Sequence, residues 1–157
     1  EISAHVVSQE RADPWSKTGL MVRQSLEPDS QNAFVNVTPD NGAKMIRRDT
    51  PGAGTGPEPL EQNFKAPIWL KLVRKGNEFS SFWSQDGKDW EPAEVVGTPS
   101  VAEVVMTDPV LVGIAVTSHA AGVLAESVVD NVQGGGNFNL PVEPKGNALS
   151  TWAEIKL

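Results

Sequence analysis

Apolar and polar residues alternate with a period of two along most of this chain, and glycine, proline, Asn-Gly or Asp-Gly interrupts the alternation at short intervals. A period of two places successive side chains on opposite faces of an extended strand, whereas a helix needs apolar residues three and four apart. No window meets the helical spacing convincingly; residues 101–106 (VAEVVM) read as one helical turn or as a strand. Turn signals recur about every 8–12 residues, the rhythm of a sandwich or barrel. The expected fold class is all-β.

Residues 2–7 read as a first strand, followed by a turn at Asp13-Pro14, and residues 19–26 as a second, stopped by Pro28. Residues 33–38 alternate Phe34 and Asn36 against Val35 and Val37, which suits a strand with one wet face. Pro39-Asp40-Asn41-Gly42 is a hairpin signal, because Asn and Gly accept the positive φ that tight turns need. Residues 43–49 supply the partner strand. Residues 51–63 lack any period and read as a long loop. Residues 68–74 and 78–84, then a short strand from Trp90, look like a meander turned at Gly76-Asn77 and Asp86-Gly87. The run 109–118 (PVLVGIAVTS) is the most apolar in the chain and is expected as a central strand, paired through a Gly122 turn with residues 123–132.

The 157 residues suffice for one domain with its own core. With 39% hydrophobic and 21% charged residues, the composition is that of a globular chain. A net charge of −7, with the basic groups Arg47-Arg48 and Lys71/Arg74/Lys75 set among acids, argues against a nucleic-acid partner. No apolar stretch approaches the roughly 20 residues of a membrane-spanning helix. The lack of cysteine excludes disulfides and thiolate metal sites, and it suits a prokaryotic exported protein that relies on its core. The start at Glu1, with no methionine and no apolar leader, reads as a mature or excised chain, extracellular or at a cell surface.

Past residue 133 the character changes. Gly134-Gly135-Gly136 reads as a hinge, and the polar stretch that follows is interrupted by proline. The last seven residues, TWAEIKL, alternate again, with Thr151, Ala153, Ile155 and Leu157 on one face and Trp152, Glu154 and Lys156 on the other. The expected organisation is a sandwich domain over 1–133 and a hinged tail over 134–157 whose strand needs a sheet edge to pair with.

Several segments together resemble a known family: Trp15-x-Lys17-x-Gly19-Leu20-Met21-Val22-Arg23, Trp69-Leu70-Lys71-Leu72-Val73-Arg74-x-Gly76-Asn77-x-Phe79, Ser84-x-Asp86-Gly87-x-x-Trp90, Val112-Gly113-x-Ala115-Val116-Thr117-Ser118-His119 and Val129-Asp130-Asn131-Val132. In order and spacing they are similar to the concanavalin A-like lectin/glucanase superfamily, in the branch described as resembling a regulator of enolase and found in secreted bacterial proteins. The match covers about residues 1–132. The resemblance implies a jelly-roll sandwich of two antiparallel sheets, used as a non-catalytic accessory domain that binds glycans. Family members carry further strands before the segment matched by residues 2–7. A sandwich lacking that edge, in a chain with a spare strand at its other end, suggests strand exchange: the tail pairs with its own domain or inserts into a neighbouring copy.

Glucanases on this fold set two glutamates and an aspartate along one strand, since glycoside hydrolysis needs paired carboxylates. That pattern is absent here; Glu91/Glu94 and Glu58/Glu61 lie beside prolines or in a loop, so no enzyme is expected. His5 and His119 are the only histidines, too few for a zinc site, and His119 is expected to bond within its turn. Asp40, Asp49, Asp108 and Asp130 are dispersed, so calcium stays open without a motif behind it, and no cofactor is implied. Asp86-Gly87 reads as a turn whose Asp bonds nearby backbone. Of the five tryptophans, Trp69 and Trp90 are expected in the core and Trp83 nearer the surface; Trp83, Trp15 and His119 are the candidate ligand contacts. Trp152, Ile155 and Leu157 are the candidate assembly contacts, with Trp152 as an anchor in a pocket. Asn36, in Asn36-Val37-Thr38, is the single glycosylation candidate, expected to face solvent.

Two functions follow as expectations. The first is a structural subunit of an extracellular fibre or surface array whose partners are copies of itself or neighbouring domains. The alternative is a carbohydrate-binding module of a secreted or surface protein. The tail separates them, because a polymer needs it and a binding module does not.

Overall fold

A computed structural model describes residues 1–57, 64–94 and 99–136. Ten strands are found among the described residues: β1 (Ile2–Gln9), β2 (Lys17–Arg23), β3 (Asn32–Thr38), β4 (Gly42–Arg48), β5 (Ile68–Lys75), β6 (Glu78–Ser84), β7 (Glu91–Pro92), β8 (Val101–Glu103), β9 (Leu111–Thr117) and β10 (Ser127–Gly134). They form two antiparallel sheets. One has the order β10-β1-β5-β6-β7, with β8 also paired to β6; the other has the order β4-β3-β2-β9. The ambiguous 101–106 stretch contributes a strand, β8.

The parity of each strand sets which side chains meet between the sheets. Ile2, Ala4 and Val6 of β1, Ile68, Leu70 and Leu72 of β5, and Phe79 of β6 face Leu20 and Val22 of β2, Ala33, Val35 and Val37 of β3, and Ala43 and Met45 of β4. All are buried, and this layer is where the hydrophobic stabilisation is concentrated. Strand β1 lies over β2, β5 over β2 and β3, and β6 over β3 and β4. Consequently β10, beside β1, and β9, beside β2, end the two sheets on the same side of the sandwich.

The β3–β4 hairpin forms where Asn41-Gly42 placed it: Thr38 pairs with Gly42 across a three-residue loop, and Gly42 takes φ +76. The β5-β6-β7 meander is also present. Three expectations are corrected. Among the described residues the apolar run 109–118 is an edge strand rather than a central one, since β9 pairs there only with β2. It does not pair with residues 123–132 either; the chain crosses to the other sheet and β10 pairs with β1. The segment 19–26 ends as a strand at Arg23, where Arg23 Nε donates to Ser25 O and turns the chain.

The sandwich also runs past residue 133. Gly134 pairs with Ile2, and Glu1 and Gly135 exchange two bonds of 3.0 Å, so the first two glycines of the expected hinge are tied to β1. Trp152, Ile155 and Leu157, with the remainder of the tail from 137 on, lie outside the described residues, as do Glu58 and Glu61 of the 51–63 loop.

Candidate functional site

Two of the three candidate ligand contacts meet at one end of the sandwich. Asp13 Oδ1 accepts the Trp15 backbone N–H at 2.7 Å and lies 3.1 Å from His119 Nδ1. His119 sits at φ +58, with its N–H donating to Thr117 Oγ1, and Ser16 Oγ donates to Ser118 O, so the 10–16 and 118–122 turns are laced together. Asn41 Nδ2 adds a bond to Pro14 O. The Trp15 ring is half-buried and lies 4.3 Å from the Lys44 ammonium, over the outer face of the second sheet.

A further correction concerns the neighbouring strand β3. All seven residues of β3 are buried, not alternate ones, and Asn36 is fully buried, with Nδ2 donating to Phe34 O. An amide so placed offers no surface to a glycan in the folded domain. Besides Trp15, the segment 53–57 folds back along β4: Arg47 and Gly56 exchange two backbone bonds, and Arg48 Nε donates to Ala53 O.

Trp83 is elsewhere. Its register partner is Leu70, so it points inward, packs against the core, and meets Phe64 with ring centroids 4.1 Å apart. Trp69 and Trp90 lie on the outer face of the sheet that contains β1 and β5, reversing the expectation. Trp69 stacks on His5 at 4.9 Å, and His5 Nδ1 lies 2.9 Å from Asp130 Oδ1. The Lys71 ammonium is 4.0 Å from the Trp90 ring. Lysine at 71 was the available signal: Ile68, Leu70 and Leu72 share one parity, and Trp69 shares the other with a charge.

The SQDGKDW turn docks on this face. Amides of Asp89 and Lys88, with Ser84 Oγ, bond to Asp86 Oδ1 at 2.8–3.0 Å and hold its carboxyl below the usual carboxylate range. Gly87 at φ +75 lies so near Trp69 that a Cβ there would come within 2.8 Å of the ring. The dispersed aspartates each have a partner: Asp40 lies with Arg11 and Lys65, Asp49 with Arg47, Asp108 with Arg74, and Asp130 Oδ1 lies 2.9 Å from His5 Nδ1. Among the described residues no three His, Asp or Glu side chains gather as metal ligands.

The least finished part of the surface is the side where β9 and β10 end their sheets. Val112, Ile114, Val129 and Val132 are only partly buried there, although they pack against the core. Around them Leu111 is 44%, Val116 49%, Val128 44% and Leu124 91% exposed. Beside them a side-chain bond links the sheets, with Thr18 Oγ1 of β2 and Ser127 Oγ of β10 2.6 Å apart. This surface can take apolar side chains between the sheets and backbone along an edge.

No family model matches the chain, and neither the curated proteins nor the solved structures include a match.

Proposed function

We propose that this chain is a non-catalytic structural subunit, working outside the cell, that assembles into a fibre or surface array by exchanging the strand in residues 151–157. The observation that carries the reading is the uncovered side between β9 and β10. There an apolar strand and the half-buried residues beneath it have no covering layer among the described residues. Edge strands of stable monomers are normally blunted by charge, proline or bulges. The sequence of β9 is that of an interior strand, and strand addition would make it one. The quoted sequence segments support taking the sandwich as a jelly roll of the concanavalin A-like type.

Light scattering on the intact chain and on a chain ending at Gly136 tests the reading. The intact chain is expected to form particles of many subunits, and the shortened one to stay monomeric while keeping its β circular dichroism. Equal sizes for both forms would sink the proposal. Glycan binding would then become the question, with the outer-face Trp69 and Trp90 as the first residues to vary.

A further inference from the structure

We infer that the acceptor of the exchanged strand is the free edge of β9 and that its occupant is the 151–157 segment of a second copy of this chain. The inference rests on the strand-exchange reading and names its site. Among the described residues the other sheet edges are defended. Strand β10 carries Asp130, two register shifts against β1, and Asn131 at φ +49, which interrupt its edge. Strand β4 carries Arg47 and Arg48, and Arg47 is already bonded to Gly56. Beyond β6 lie only the short β7 and β8, with Glu91 and Glu103. Strand β9 has none of these devices. Its seven residues, LVGIAVT, include no charge, and they pair with β2 in unbroken register from Leu111 to Thr117.

A strand added outside β9 would extend the inner layer of Val112, Ile114 and Val116 and close over Val129 and Val132. Residues 151–157 match β9 in length, and their alternation offers Ala153, Ile155 and Leu157 to that layer, leaving Trp152, Glu154 and Lys156 on the other face.

The spacer has the reach that a second copy requires. Gln9 Nε2 donates to Thr18 Oγ1 at one end of the sandwich, so Ile2 and Arg23 lie at the other. Gly134 pairs with Ile2 and Leu111 with Arg23, so β10 finishes at the end where β9 begins. Crossing between sheets spans about 10 Å, which three or four extended residues cover. Residues 137–150 can reach about 46 Å when extended, roughly twice the length of a seven-residue strand. A donor segment and an acceptor edge at different places on one chain make a heterologous contact, which repeats into an open filament.

The chain has no cysteine, so introduced pairs report the contact directly. Acceptor chains carrying Val116→Cys on β9 or Val128→Cys on β10 are mixed with donor chains carrying Ala153→Cys, Ile155→Cys or Leu157→Cys, then oxidised. The expected result is a mixed-chain disulfide dimer with Val116→Cys, at least tenfold more abundant than with Val128→Cys for the best donor. A preference for Val128→Cys would overturn the choice of β9 while leaving strand exchange standing. A chain carrying both cysteines that closes only on itself, with no mixed dimer, would overturn the second copy. Assembly with no donor cross-link at either edge would overturn this inference and the strand-exchange reading together.

Discussion

Gly19→Ala should leave no cooperatively folded domain at 25 °C, or cost more than about 4 kcal/mol if any fold survives. Gly19 lies in β2, paired with Asn36 of β3 and Ala115 of β9. A Cβ built there falls 2.0 Å from Val35 O and 2.7 Å from Asn36 Cα. Ordinary contacts between such atoms are about 3.5 Å, so the methyl sits more than 1 Å inside the neighbouring strand's backbone. No rotamer relieves a Cβ, and the clashing atoms belong to a ladder strand buried throughout, so β3 would have to leave β2. Gly113→Ala is the matched control, because a Cβ there meets nothing within 4 Å. It should change stability by less than about 1 kcal/mol. A normal urea transition for Gly19→Ala would show that the close approach of β2 and β3 is wrong.

Phe79→Ala should cost about 3–5 kcal/mol, against a total stability of about 5–15 kcal/mol for a domain of this kind. The ring is fully buried in β6 between Arg74 on β5 and Ala102 on β8. Removing it leaves a cavity in rigid sheet, which cannot collapse as a loop would. It also removes the ring 5.9 Å from the Arg74 guanidinium, which bonds to Met106 O. Phe79→Leu keeps most of the volume and should cost less than half as much. Urea melts followed by circular dichroism measure both; a loss under 1 kcal/mol for Phe79→Ala would place Phe79 outside the core.

Parity made most of the fold legible. Strands β1, β3, β4, β5 and β6 lie within two residues of where alternation placed them, because each has one face against the core. Alternation says which residues share a face, but not which strand lies next to which. Strand β9 therefore read as central, since apolarity on both faces normally means neighbours on both sides. The mismatch between its interior composition and its edge position is what directs attention to an absent neighbour. The candidate site was less legible for a related reason. Trp83 and Trp69 sit in strands whose inner and outer faces both carry apolar residues, and only the lysine two positions after Trp69 marks the outer face. Asn36 is buried in the middle of its sheet, paired with Gly19 on one side and Lys44 on the other, although its strand pattern read as half wet. Close backbone approach at Gly19 leaves no trace in hydrophobic pattern at all.

Amide hydrogen exchange along β9 tests strand addition most directly. In an antiparallel edge strand alternate N–H groups bond the inner neighbour, while the others point outward with no ladder partner. In a chain ending at Gly136 the outward-pointing amides of residues 111–117 should exchange rapidly, while those bonded to β2 stay protected. In the intact, assembled chain both sets should exchange slowly, because a donated strand takes up the outward row. Outward amides that exchange equally fast in both forms would contradict strand addition at β9.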